Sequence, residues 1–370
     1  MSGGARGRRP SDSRSVATDR VDLDAVLALD EFEPLARPLL APAVYDYVAG
    51  GSWDEESLAA NVAAWRRRTL RPRVLVDVRA TTAATTLLGR SASMPVAIAP
   101  MAAHGDLHPD GELATVRAAA AAGTPMTLST FSTRTLEEVA GAAPDATRWF
   151  QLYLQSDPGR TRDLLERAAA TGYGAVVLTV DTPVMGYRRR ERRHEPIVPD
   201  RSPLDLPDAD GGHLRVAGGR PPRLTWEDLE RIRGWAPGLP LVLKGILRGD
   251  DAVLAAEHGA DAIVVSNHGA RQLDRVAAPV DALEEVVDAV AGRCEVWVDG
   301  GVRRGLDVVT ALALGARGVL VGRPILWALA AGGEAGVARA LAILREETEL
   351  ALALLGCPSV DAAARHHVAP

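Results

Sequence analysis

Ile263-Val264-Val265-Ser266-Asn267-His268-Gly269-Ala270-Arg271-Gln272-Leu273-Asp274 begins as an apolar, β-branched run and ends in a hydroxyl, an imidazole and a guanidinium. The apolar part reads as a buried strand, and the polar part as the loop that leaves it. Seven further runs of this kind occur from residue 95 onward. They cover 95–100, 125–130, 148–154, 175–181, 241–245, 295–299 and 318–322, and the quoted stretch, at 262–267, is the sixth of the eight. Between them lie Ala/Leu/Glu-rich stretches of helical periodicity, among them 111–122, 157–171 after an Asp-Pro start, 249–258 and 279–291. Alternating strand and helix signals predict βα units around a parallel sheet, and eight is the number that closes a (β/α)8 TIM barrel. A doubly wound sheet would leave two strands unexplained or need an extra edge.

The rest of the chain is arranged around this α/β barrel. Residues 1–20, rich in Ser, Gly, Arg and Asp without the apolar run of a signal peptide, read as a disordered tail. Residues 21–75 read as an N-terminal helical segment capping the barrel, with a turn at Ala49-Gly50-Gly51-Ser52. Residues 189–223, dense in Arg, Pro, Asp and Gly, predict a long lid-like loop after strand four. Residues 334–355 read as a closing helix with a Gly-Cys-Pro stop, so 21–370 form one barrel domain.

Composition narrows the function. A 370-residue chain that is 47% hydrophobic supports a large core, and a net charge of −6 argues against nucleic-acid binding, which needs a basic face. Cys294 and Cys357 stand in no disulfide or zinc spacing, which fits a reducing cytoplasm. Apolar runs end well before bilayer-spanning length, so no membrane segment is expected. His104 and His108 flank Gly105 and precede Pro109 in a loop without supporting carboxylate geometry, so no metal is expected either.

A barrel builds its site at the C-terminal ends of its strands, and the residues there are chemically loaded. They are Pro100-Met101-Ala102, Ser129, Gln151 and Tyr153, Thr179 and Asp181, Lys244, Ser266 and His268, Asp299, and Gly322-Arg323. His268 can exchange a proton near neutral pH and Arg271 can grip a carboxylate in two-pronged fashion, which suits a substrate carrying both an acid and an oxidisable alcohol. A capping cluster with a structural histidine is the alternative. Asp181, in Thr179-Val180-Asp181-Thr182-Pro183, would stabilise an imidazolium at His268, or else serve as a turn residue. Lys244 must reach solvent or an anion, and a reduced flavin is such an anion.

Asp299-Gly300-Gly301-Val302-Arg303-Arg304-Gly305 and Gly322-Arg323-Pro324 follow strands seven and eight, where barrels form phosphate sites. Asp299 could also hold a ribityl hydroxyl. No GxGxxG opens a βαβ unit, so a mononucleotide is favoured over a nicotinamide dinucleotide.

The motifs Ser-Asn-His-Gly-Ala-Arg-Gln-Leu-Asp, Thr-Val-Asp-Thr-Pro, Phe-Gln-Leu-Tyr and Asp-Gly-Gly-Val-Arg-Arg-Gly carry a resemblance over about residues 22–365. The chain resembles the FMN-dependent 2-hydroxy acid oxidases and dehydrogenases, which include glycolate oxidase, lactate oxidase and mandelate-oxidising enzymes. The resemblance implies an FMN cofactor, oxidation of an L-2-hydroxy acid to the 2-oxo acid, and a homotetramer. The flavin would be re-oxidised by dioxygen, giving hydrogen peroxide, or by another acceptor.

It also implies that His268 is the base, Asp181 its partner, Arg271 the main carboxylate ligand and Arg188 the second. Tyr47 and Tyr153 would hydrogen-bond the substrate, and Phe131 would stand beside its side chain. The flavin would rest on Pro100, Met101 and Ala102 and meet Ser129, Gln151, Thr179, Lys244 and Ser266. Its phosphate would lie among Gly300, Gly301, Arg303, Gly322 and Arg323.

Three positions depart from the family pattern. Phe131 replaces the Trp of glycolate oxidases, His104 replaces a Gln or other polar residue, and 189–196 lacks the usual Asn-Gly-Phe element in a shorter loop. That loop also lacks the apolar insertion of membrane-associated mandelate dehydrogenases. An aromatic, mandelate-type dehydrogenase is the nearest alternative. An inosine monophosphate dehydrogenase would need a loop cysteine that neither Cys294 nor Cys357 supplies. A non-catalytic flavin-binding barrel is opposed by the presence of His268, Asp181, Arg271 and Tyr153 together.

Overall fold

Parity along eight short strands organises the molecule. The computed structural model describes residues 21–194 and 224–369, so the 1–20 tail and most of the 189–223 loop lie outside the described residues. A hairpin of β1 (Thr85–Leu87) and β2 (Arg90–Ala92) precedes the barrel strands β3 (Val96–Met101), β4 (Met126–Leu128), β5 (Arg148–Leu152), β6 (Val176–Thr179), β7 (Leu241–Ile246), β8 (Ala262–Val265), β9 (Glu295–Val298) and β10 (Gly318–Val321). The eight strands close in the order β10-β3-β4-β5-β6-β7-β8-β9, parallel throughout.

Successive side chains on a strand point to opposite faces, and here the two sets form separate cores. Ala97, Ala99, Trp149, Val177, Val242, Val264, Trp297 and Leu320 pack together inside the cylinder, with Leu87 and Ala92 of the hairpin in the same cluster. Ile98, Leu128, Phe150, Leu178, Leu243, Ile263, Val298 and Val321 face the helices. Trp149 and Trp297 meet edge to face at 5.3 Å, and the small alanines leave room for both indoles.

The barrel helices are α4 (Gly111–Ala122), α5 (Leu136–Ala142), α6 (Pro158–Ala170), α7 (Asp228–Trp235), α8 (Gly249–Glu257), α9 (Pro279–Val290), α10 (Gly305–Ala313) and α11 (Arg323–Leu355), preceded by α1 (Phe32–Ala36), α2 (Pro42–Ala49) and α3 (Glu56–Arg66). In α9, Val280, Leu283, Val286 and Val290 recur at helical spacing and are buried. Thr135 and Glu138 form a capping box that starts α5. By length and composition α11 could cross a bilayer. It is broken at Gly332 and Gly333, however, and 67% of its apolar window is buried inside the fold, so it works here as a core helix.

The structure corrects the expected helical span of 21–75, which ends at Arg66. Pro72 disfavours helix at Arg71, and the chain runs extended past the C-terminal segment: Arg71 N–H donates to His367 O at 2.8 Å and Arg73 N–H to Leu355 O at 3.0 Å. The hairpin was not anticipated, because three-residue strands are too short to show a period. Several strands end one or two residues sooner than expected, since the polar residues at their C-terminal ends leave the ladder.

Replacing Trp297, 1% exposed, by Ala should cost about 3–5 kcal/mol. The check is the urea midpoint, and a midpoint like that of the parent chain would show that the interior repacks around the missing ring.

Candidate active site

Two residues beyond the last inward-facing position inside the cylinder, six of the eight strands carry a polar side chain. Thr127, Trp149, Val177, Val242, Val264 and Trp297 are thus followed by Ser129, Gln151, Thr179, Lys244, Ser266 and Asp299 at the C-terminal rim. Gln151 joins three loops there: its Nε2 donates to Thr179 Oγ1 at 3.1 Å, and its Oε1 accepts from Ser129 Oγ at 3.2 Å and Thr130 N–H at 3.1 Å. Lys244 Nζ donates to Ser266 Oγ at 3.0 Å and lies 3.1 Å from Asp299 Oδ2. Burial pulls the lysine pKa down, but Asp299 and Asp181 outweigh it and hold it above the usual value, so Nζ is charged.

His268 sits in a left-handed turn, with φ of 59° at His268, 62° at Gly269 and 61° at Ala270. Such a conformation costs an L-residue roughly 1–2 kcal/mol and persists only when its surroundings fix it. Here the His268 N–H donates to Ser266 Oγ at 3.0 Å, the Ala270 N–H to Asn267 Oδ1 at 3.1 Å, and the Ser52 N–H to Ala270 O at 2.9 Å. Asn267 is itself held by a reciprocal amide pair with Asn61, at 2.9 and 2.7 Å.

The imidazole Nδ1 lies 2.8 Å from Asp181 Oδ1, and Thr182 Oγ1 donates to that same oxygen at 3.1 Å. Gly245 makes room for this carboxylate, since a Cβ there would come within 2.6 Å of Asp181 Cβ. Burial lowers the His268 pKa below 6.5 despite Asp181, so the ring is neutral at neutral pH. Burial pushes Asp181 up, but His268, Lys244 and Thr182 prevail and keep it ionised. With Nδ1–H donating to Asp181, the Nε2 lone pair is directed toward the cavity, 3.5 Å from Tyr153 Oη. Tyr153 is pushed up to about 12 by burial and stays a phenol.

Arg188 and Arg271 line the same cavity with Tyr47, Phe131 and Met185. Arg271 lies over the Tyr47 ring at 4.8 Å and donates from Nη1 to Tyr47 O at 2.6 Å and Gly50 O at 3.2 Å. Arg188 donates from Nε to Arg271 O at 2.9 Å and from Nη2 to Gln272 Oε1 at 3.1 Å.

On the opposite side the cavity is bounded by Gly300, Gly301, Arg303, Gly322 and Arg323. Gly301 has φ of 84°, and a Cβ there would stand 2.2 Å from Asn61 O, so only glycine fits. Arg323 donates to Val48 O at 2.7 Å and Gly50 O at 2.8 Å. Burial and the nearby Arg271, Arg303 and Arg188 bring it down to about 9. Neither Arg303 nor Arg323 has a carboxylate within ion-pair distance among the described residues, and Asp299 Oδ1 is buried without a partner. These residues fit a flavin mononucleotide: Lys244 would meet the anionic reduced ring, Asp299 would accept from a ribityl hydroxyl, and the glycine-rich cationic loops would cradle the phosphate.

All but two of the residues singled out above line this cavity, with Pro100, Met101 and Ala102 on its floor. The exceptions are Ser266, buried beneath Lys244, and Asp181, behind the imidazole. Sequence reasoning gave no role to Asn61, Asn267, Gln272, Met185 or Glu191. Asn267 and Gln272 stand inside the most distinctive motif, but nothing local in the sequence could pair Asn61 with a residue 206 positions away. His104 is buried, its Nδ1 3.0 Å from Thr115 Oγ1.

The profile of the FMN-dependent dehydrogenase family matches residues 36–370. The chain is 49% identical over 354 residues to the L-lactate oxidase of Nostoc sp., covering 92% of this chain and 97% of that protein. It is 46% identical over 352 residues to human 2-hydroxyacid oxidase 1, covering 91% and 95%. A crystal structure of mandelate oxidase superposes with a TM-score of 0.85 at 44% identity, covering 93% of this chain and 98% of the other. On these grounds the chain belongs to the FMN-dependent dehydrogenase family.

Proposed function

We propose that this protein oxidises an (S)-2-hydroxy acid to the 2-oxo acid, with dioxygen as the acceptor and hydrogen peroxide as its product. The observation that carries the reading is the sharing of one cavity by the neutral, Asp181-backed imidazole of His268 and the guanidinium groups of Arg188 and Arg271. A 2-hydroxy acid carries a carboxylate next to the carbon to be oxidised, and the arginines hold that carboxylate while the carbinol group faces His268. Bound FMN supplies the two-electron acceptor. His268 Nε2 accepts a substrate proton, and Asp181 stabilises the imidazolium that results. Tyr153 donates to the substrate hydroxyl or carboxylate, and Lys244 places a positive charge under the cofactor site.

Phe131 and Tyr153 meet at 5.4 Å with their rings tilted by 37° and, with Met185 and Ala102, form the apolar side of the cavity. That lining suits a medium or aromatic apolar substituent, and the relatives named for L-lactate and mandelate bracket the range. An aromatic 2-hydroxy acid dehydrogenase is the second reading, favoured by the same two rings. Screening glycolate, lactate and mandelate by anaerobic bleaching of the yellow holoenzyme, and then measuring peroxide in air, separates these cases.

The His268→Asn protein should remain yellow and lose reduction by about 10²–10⁴-fold or more. Bleaching at the parental rate would remove His268 from the reaction. Because the base must be neutral, the reductive rate should fall as pH drops through a value below 6.5 and be level across neutral pH. A rate that increases on acidification would contradict the assignment.

We also propose a homotetramer in the cytoplasm. Both cysteines are free thiols, which supports a reducing compartment. Val74, Leu75 and Val76 are exposed directly after Arg73, whose N–H donates to Leu355 O, and an exposed apolar run of this kind supports an interface between copies. Light scattering should give a four-chain mass, and Leu75→Glu should shift it downward.

A further inference from the structure

The charged run from Arg189 to His194, featureless in the sequence, holds one carboxylate against the substrate arginines. Glu191 divides its oxygens between the two guanidinium groups, Oε1 at 2.8 Å from Arg271 Nη2 and Oε2 at 3.5 Å from Arg188 Nη1. Both arginines line the cavity and Glu191 does not, so it grips them from outside the wall. Its neighbours anchor it: Arg189 pairs with Asp54, Arg190 with Glu55 at 2.5 Å, and His194 Nε2 lies 2.7 Å from Asp46 Oδ2.

Arginine has five N–H donors. Tyr47 O, Gly50 O and Glu191 occupy three of those on Arg271, leaving Nε–H and one Nη2–H for a ligand. Arg271 O, Gln272 Oε1 and Glu191 likewise engage Arg188 at Nε, Nη2 and Nη1. The two cations repel: burial, and after it Arg271, pulls the Arg188 pKa down, while Glu191 pushes it up. A carboxylate between them offsets that repulsion and sets the spacing of the donors that remain.

We propose that Glu191 is a positioning residue for the substrate carboxylate, acting through Arg271 and Arg188. The inference rests on the 2-hydroxy acid reading of the site. In the holoenzyme, Glu191→Gln keeps the shape and one acceptor oxygen but removes the charge. It should raise KM for the 2-hydroxy acid, and the Kd of acetate read from the flavin absorbance change, by about tenfold, equivalent to ~1.4 kcal/mol. Turnover at saturation should stay within about twofold, and Glu191→Asp should recover part of the affinity. A merely structural role would instead lower the melting temperature and flavin retention, and depress kcat as much as KM.

Unchanged KM in Glu191→Gln overturns the proposal. So does a lower KM, which would mean that Glu191 competes with the substrate for the guanidinium groups. Arg271→Lys separates the two levels of inference. If it too leaves KM and the acetate Kd unchanged, the substrate reading fails. If it raises both while Glu191→Gln does not, only the role of Glu191 fails.

Discussion

A closed cylinder of eight parallel strands has an interior too narrow for water, so every second side chain must fill it with apolar bulk until the strand reaches the open end. Trp149 and Trp297 provide that bulk, and Ala97, Ala99 and Ala262 are small enough to admit them. The next inward position on each strand is the first that opens onto the cavity, and it is there that Gln151, Thr179, Lys244 and Asp299 appear. Height above the core is thus common to all of them. Thr179 and Lys244, paired directly across β6 and β7, show the levelling most simply. A slip of one residue in any strand would turn its polar group into the helix layer.

Charge in the cavity is distributed with similar economy. Each acid has a cationic or imidazole partner: Asp299 faces Lys244, Asp181 faces His268, and Glu191 faces the Arg188–Arg271 pair. Among the described residues Arg303 and Arg323 have no carboxylate within ion-pair distance, and burial lowers the pKa of both, which is unfavourable for the protein alone and favourable once an anion is bound. Burial above all keeps the imidazole neutral, against the pull of Asp181. The positive charges of Lys244 and Arg188 add a smaller opposition to its protonation.

The N-terminal segment completes the rim. Asp274 accepts N–H donors from Asp54 at 3.1 Å, Glu56 at 3.3 Å and Ser57 at 2.8 Å, which fixes the start of α3 against the loop that carries His268. Trp65 Nε1 donates to Gly300 O at 2.8 Å, and Asn61 packs under Gly301, so α3 also braces the cationic cradle. Tyr47, at the end of α2, is brought over Arg271 by this docking. The strained turn at His268 is therefore held by contacts from a part of the chain more than two hundred residues away.

Local chemistry in the sequence was enough to read the barrel, because runs such as 262–267 and 295–299 are apolar, β-branched and regularly spaced, and those properties act over a few residues. The identity of the residues at strand ends was legible for the same reason, as was the cationic, glycine-rich character of the loops after the last two strands. The helical cap was misjudged beyond Arg66, where Pro72 and long-range bonds to His367 and Leu355 replace local propensity. The three-residue hairpin strands left no periodic trace. What tertiary structure alone decided is how distant groups meet: Asn61 with Asn267, Asp274 with the start of α3, and Glu191 between Arg188 and Arg271. Hydrogen bonds and ion pairs depend on separations of about 3 Å, and a sequence carries no such distances until the chain has closed on itself.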